Sequence, residues 1–95
     1  MLNPKQRANL KSQANRLKPV YQIGKDGLKE DLIEGLLNYL LAHELMKVSI
    51  LNNSDVTEDE IKEALDSVGI EYVAKIGHIV ILYKYSPSLD NHIEF

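Results

Sequence analysis

The chain reads as an α/β domain: a two-layer sandwich with the order α-β-α-β-α-β-β, in which three helices cover one or both faces of a four-stranded mixed sheet. Three observations predict this. Apolar residues recur at helical spacing in three separate stretches, around Leu10, Leu36 and Ile61. Short β-branched and aromatic runs alternate with them, at Val20–Ile23, Met46–Leu51, Ile70–Ile76 and Ile79–Tyr85. The last two runs are parted only by Gly77-His78, the spacing of a tight hairpin.

The first helix starts at Asn3-Pro4. Asn suits the N-cap, Pro the first helical position, and Gln6 completes a capping box. Leu10, Ala14 and Leu17 form its buried stripe, and Pro19 stops it, because a residue before proline avoids the α region. Arg7 and Lys11 lie about 40° apart around the axis, with Lys5 and Arg16 on the opposite, outer side, so most of the exposed surface is basic. The second helix carries a wide apolar face of Leu28, Leu32, Ile33, Leu36, Leu37, Leu40 and Leu41, with Glu30 and Asp31 complementing the dipole in its first turn. Gly35 inside it costs about 1 kcal/mol relative to Ala, which close packing against the sheet would explain. Thr57 with Glu60 caps the third helix. Its core side is Ile61, Ala64, Leu65 and Val68, its outer face is acidic, and Gly69 ends it. Ile79–Tyr83 is apolar on both faces and reads as a central strand. The crossovers through the second and third helices imply parallel neighbours or skipped strands.

Ninety-five residues suit one domain, expected over 1–86, with 87–95 as a tail that docks through Ile93 or Phe95. No apolar run approaches a membrane span, and the first residues lack the apolar stretch of a secretory signal. The absence of cysteine removes disulfides, thiol nucleophiles and cysteine zinc sites, and fits a cytoplasmic protein. A monomer is expected. The net charge of −3 hides an asymmetry. Residues 1–29 hold seven basic side chains and one acid, whereas residues 30–95 hold four lysines and thirteen acids. Such a split predicts one face for an anionic partner.

Inside the basic segment lies Gln22-Ile23-Gly24-Lys25-Asp26-Gly27-Leu28, between a strand and a helix. A Gly-x-x-Gly turn lets backbone approach a ligand closely, the helix N-terminus adds partial positive charge, and Lys25 adds a full one. These parts suit a nucleic-acid backbone, as in the Gly-x-x-Gly loop of KH domains.

Further pieces accompany the loop: Lys5-Gln6-Arg7, Leu17-Lys18-Pro19-Val20, Glu44-Leu45-Met46-Lys47-Val48, and Ile76-Gly77 followed by Ile79-Val80-Ile81-Leu82-Tyr83. In this combination and order the chain resembles the CRM domain, the chloroplast RNA splicing and ribosome maturation module, in its stand-alone bacterial, YhbY-like form. The likeness runs from Lys5 to about Tyr85. It implies a fold like the C-terminal domain of translation initiation factor three. It also implies RNA binding, with association to large-subunit precursor rRNA during ribosome assembly and ribosomal proteins as further partners. The family's RNA contacts fall here on Gly24, Lys25, Asp26 and Gly27, and on Arg7, Lys11 and Arg16 of the first helix, with Lys18 just after. Lys5 and Lys29 of the same basic segment complete the candidate set. Two positions depart from the pattern. Asp26 puts a negative charge in the loop, or else caps the following helix, and His78 stands in the last hairpin where many members carry arginine.

Catalysis finds little footing. His43-Glu44-Leu45-Met46-Lys47 begins like a zinc-protease helix, but Lys47 occupies the place of the second histidine. His43, His78 and His92 have no ligand spacing, and neither a Walker loop nor a dinucleotide fingerprint is present. The expectation is an RNA-binding module that needs no cofactor and is not an enzyme. The alternative is a protein-interaction adaptor on ribosomal particles, without direct RNA contact.

Overall fold

Asn3 opens the first helix as its sequence dictates. Its side chain accepts a hydrogen bond from the Gln6 amide at 2.8 Å, and the Gln6 side chain accepts one from the Asn3 amide at 3.0 Å. The structure, a computed structural model, describes residues 2–95. Helix α1 spans Pro4–Ala14 and buries Leu10 and Ala14. Asn3→Ala removes the side-chain acceptor of the Gln6 amide, leaving the bond from the residue-3 amide to the Gln6 side chain, and is expected to lower stability by about 1 kcal/mol, read from the urea midpoint.

The helix ends earlier than the proline suggests. Asn15, a weaker helix former, caps α1, and the amides of Asn15 and Leu17 bond back three residues to Ser12 and Ala14. These tight turns satisfy the last carbonyls and free the chain to start β1 at Pro19. Leu17 therefore leaves the expected stripe and is exposed.

The remaining elements are β1 (Pro19–Ile23), α2 (Glu30–His43), β2 (Leu45–Ile50), α3 (Glu58–Asp66), β3 (Glu71–Ile76) and β4 (Ile79–Tyr83). The sheet order is β1-β2-β4-β3. β1 runs parallel to β2, and β4 is antiparallel to both β2 and β3. One crossover thus joins neighbours and the other skips β4, which lies inside the sheet as its two-sided apolar sequence requires. Gly77 takes φ +59 in the two-residue hairpin between β3 and β4, a conformation that favours glycine.

Alternation along the strands sorts the core onto two faces. On the first, α2 and α3 bring Leu36, Leu40, Ile61 and Leu65 against Ile23, Met46, Val48, Val80 and Leu82. Thr57 caps α3 by accepting from the Glu60 amide at 3.1 Å. Leu28 packs on this core from the loop before α2, not from the helix, whereas Leu41 is turned to solvent. On the second face, Leu10 and Ala14 of α1 meet Leu45, Val73, Ile81 and Tyr83, with Ile93 and Phe95 of the tail packed alongside. The Phe95 ring stands edge-on to Tyr83, centroids 4.9 Å apart. The helices thus cover both faces of the sheet.

Glu44 fastens the tail. It follows α2 in the left-handed region, φ 66, and its side chain is wholly buried. One carboxylate oxygen accepts from the Ile93 amide at 3.0 Å. The other accepts from the Ser86 amide at 2.8 Å and lies 2.8 Å from His92 Nδ1. Burial alone would raise the Glu44 carboxyl, but the Ser86 amide, the His92 ring and the Ile93 amide outweigh it and hold the group below the usual carboxylate range.

Candidate nucleic-acid interface

β1 and β2 are parallel, so the loops leaving Ile23 and Ile50 emerge at one end of the sheet. The Leu51 amide donates to the Ile23 carbonyl, and the Ile50 amide to the carbonyl of His78. This brings the 24–27 turn, the 51–56 loop and the β3-β4 hairpin together. His78, exposed in that hairpin, lies at the same end as the turn.

The turn is built by its own backbone. The Gly27 amide donates to the Gly24 carbonyl at 3.1 Å, and Gly27 has φ +69, where a side chain would be strained. That amide is consumed within the turn and offers nothing to a ligand. Lys25 and Asp26 occupy the turn's two tip positions and are exposed. Lys25 has no carboxylate within ion-pair distance among the described residues.

Asp26 does not cap the helix. α2 begins at Glu30, its N-cap is Lys29, and no side chain bonds there. Leu28 and Lys29 separate the turn from the helix, which puts Asp26 too far back in the chain to act as the cap. Its carboxylate instead lies 3.9 Å from Lys29 Nζ, with both side chains more than 70% exposed. A pair so exposed contributes at most about 1 kcal/mol.

A depression of about 300 Å³ beside the turn is lined by Lys25 and Asp26, and across from them by Asp55 and Glu60. Three carboxylates against one lysine make that side of the turn unfavourable for phosphate. Anions approach more easily from the opposite side, where α1 lies.

The basic residues of α1 and of the turn after it do not act as one track: α1 ends at Ala14, so Arg16, expected on the first helix, lies just beyond it. Arg7 overhangs β3 and lines a groove with Asp59, Glu63 and Asp66 of α3. Arg16 lies near the other end of the sheet, in a groove with Tyr39, His43 and Ile93. His43 ends α2 with its ring stacked on Tyr39, centroids 4.2 Å apart. Of the ten candidates, Gly24, Lys25, Asp26, Gly27 and Lys29 are brought together in one stretch. Lys5 and Lys11 are exposed on α1, and Lys18 directly precedes β1. The separation of Arg7 from Arg16 follows from α1 crossing the strands, which helical spacing does not reveal. No group of three or more His, Asp or Glu side chains suited to a metal occurs among the described residues.

The chain is similar to known proteins in sequence and in fold. The family model of the CRS1 / YhbY (CRM) domain matches residues 2–84. The Bacillus subtilis protein named "Probable RNA-binding protein YqeI" is 38% identical over 87 residues, 90% of this chain and 91% of that one. A Haemophilus influenzae protein named "RNA-binding protein" is 36% identical over 86 residues, covering 90% of this chain and 87% of its own. The solution structure of the hypothetical protein SAV1595 from Staphylococcus aureus superposes with a TM-score of 0.80 at 35% identity, over 99% of this chain and 98% of that one. With a family match over nearly its whole length, relatives of its own size and a matching fold, the chain belongs to the CRS1 / YhbY (CRM) domain family.

Proposed function

We propose that this protein binds RNA through the Gly24–Gly27 turn and the lysines on the α1 side of it, and that in the cytoplasm it assists assembly of the large ribosomal subunit on precursor rRNA. The observation that carries the reading is Lys25, exposed at the tip of a glycine turn and free of any carboxylate partner among the described residues. The family and the names of its relatives support RNA as the ligand. The role is binding, not catalysis, and it calls for no cofactor. Lys11 and Lys18 extend the contact. Lys5 and Lys29 lend charge, Lys29 in part through its pairing with Asp26. Arg7, among acids, and Arg16, at the far end, contribute less.

The test is fluorescence anisotropy with a labelled large-subunit rRNA fragment across a salt series, for the wild type and Lys25→Glu. With roughly four to six phosphate contacts the wild type should show a log–log slope of about −3 to −5. Lys25→Glu should weaken binding by about tenfold or more and flatten that slope. Equal affinity of the two proteins would remove the turn from the interface. The acidic depression at Asp26, Asp55 and Glu60 favours the adaptor reading, in which a basic ribosomal protein docks there. Folded wild type that ignores RNA at low salt would favour it further.

A further inference from the structure

The second face of the sheet is only half covered. α1 and the tail lie over the end that holds Leu45, Ile81 and Tyr83. Nearer the Gly24–Gly27 turn, strand register aligns Gln22 with Ser49, Ser49 with Ile79, and Ile79 with Ile76. These four form one row across all four strands, on the face away from α2 and α3. Ile76 is 46% exposed, as is Val20, which shares the face of Gln22 on β1. Lys47 lies two residues before Ser49 on the same face, half-buried, with Pro19 and Ile81 as its neighbours in register.

Lysines frame this strip. Gln13 of α1 faces the tail, donating to the Glu94 carbonyl at 2.7 Å, and Gln6 shares a depression with Tyr83 and Phe95. Lys11 lies about 160° around the helix from Gln13, on the flank toward the open half of the sheet. Lys18 precedes Pro19, the register partner of Lys47, and Lys25 stands at the other end of β1. None of the strip residues is acidic. The carboxylates of α2 and α3 belong to elements on the opposite face, and Glu71 pairs with Tyr83 at the covered end. The strands of the open half thus present Lys47 and no acid on this face.

Resting on the RNA-binding reading above, we propose that this open half-face seats a single-stranded RNA segment, with Lys47 contacting phosphate and Val20, Ile76 and Ile79 forming an apolar floor under the bases. Four strands make a floor about 14 Å across, and Lys47 to Ile50 adds about 10 Å along them. That area fits one extended strand. Lys47 lies low beside α1, where a broad rigid duplex resting on α1 and the turn does not reach. Basic grooves that track a single backbone over a floor for its bases are a general solution for such ligands.

Lys47→Ala and Ile76→Asp test this, with Lys62→Ala on α3 as control. Anisotropy would use a labelled single-stranded RNA of mixed sequence and a hairpin duplex of the same composition, across salt. Thermal unfolding would establish that each variant is folded, and Ile76→Asp, at an exposed position, guards against a folding defect in Lys47→Ala. The wild type is expected to prefer the single strand. Lys47→Ala should bind it several-fold more weakly, with the log–log slope reduced by about 0.7. Ile76→Asp should also weaken it, and Lys62→Ala should match wild type. If both strip variants bind like wild type while Lys25→Glu fails, the strip is overturned and the turn remains the site. Equal binding of duplex by the wild type also overturns it. If the wild type binds neither probe at low salt, the RNA-binding reading falls and the strip with it.

Discussion

Glu44→Gln should lower stability by about 2–4 kcal/mol and release the C-terminal segment, although it changes neither the size of the side chain nor any residue of the tail. The carboxylate works here because both of its oxygens accept. Ile93 donates to one and Ser86 to the other, with His92 beside the second. An amide offers one acceptor and turns two N–H donors toward the remaining partners, so at least one buried amide loses its bond. Detachment of the tail would rehydrate those groups, but it would strip Ile93 and Phe95 from the second core and part Phe95 from Tyr83. The bond from Ser86 Oγ to the Leu41 carbonyl and the stacked pair of Tyr85 and His92 would go with it. Glu44→Gly relieves the backbone, since glycine suits φ 66 better than glutamate does, so a net loss of stability would come from removing the buried side chain and not from strain in the fold. The pH dependence has a definite sign. A folded-state pKa below the ordinary value of about 4.5 means that the native state favours the ionised form. Its stabilisation is complete above that value and fades as pH falls through the lower, folded one. The gap between wild type and Glu44→Gln should therefore be widest near neutrality and shrink on acidification. Urea unfolding at pH 7 and pH 3, with hydrogen exchange of the Ser86 and Ile93 amides, measures both effects. Equal stability at pH 7 would show that the clamp contributes nothing.

What could be read in the sequence is what neighbouring residues decide. The caps at Asn3 and Thr57 were legible because a donor and its acceptor lie three residues apart, and the Gly77 hairpin because two residues admit few turns. The inner place of β4 follows from its lack of a polar face. What was missed depends on elements meeting at a distance. Glu44 looks like a fragment of a metal motif until residues 86–93 fold back on it. Leu41 matches the apolar period of α2 but falls beyond the reach of the sheet, so its side chain is exposed. Arg7 and Lys11 share a helix face in sequence, yet the acidic outer face of α3 surrounds only the first. Lys47 reads as an ordinary strand residue, and only the strand order shows which face it shares and what leaves that face open. The turn itself was found because glycine spacing is local, whereas the acids across from it come from a loop and a helix about thirty residues further along.

Gly35→Val should destabilise the protein by about 1–3 kcal/mol and, on the RNA-binding reading proposed above, weaken RNA binding although Gly35 lies on the other face of the sheet from the proposed contacts. A Cβ at Gly35 would lie 3.0 Å from Tyr21 Cε1 and 3.1 Å from its Cζ and Oη. Glycine is thus kept in the middle of α2 because the Tyr21 ring lies against it, with Tyr39 edge-on at 6.4 Å. Alanine brings opposed effects: about 1 kcal/mol of helix propensity is gained, and the far end of the Tyr21 ring is pushed by a few tenths of an ångström. Gly35→Ala should therefore be close to neutral. Valine adds two methyl groups that a small ring shift cannot clear, and it forfeits most of the propensity gain. The contact with Tyr21 can be isolated by a double-mutant cycle. In a Tyr21→Leu background the penalty of Gly35→Val should largely vanish, and additive costs would show that the crowding lies elsewhere. Tyr21 is two residues before Ile23, whose carbonyl ties the start of the turn to Leu51. Displacing the ring shifts β1, and with it the position from which Lys25 projects. A folded Gly35→Val protein with reduced affinity for RNA and an unchanged salt slope would mean that the same phosphates are held in poorer register, which separates positioning by the helix from charge supplied by the turn.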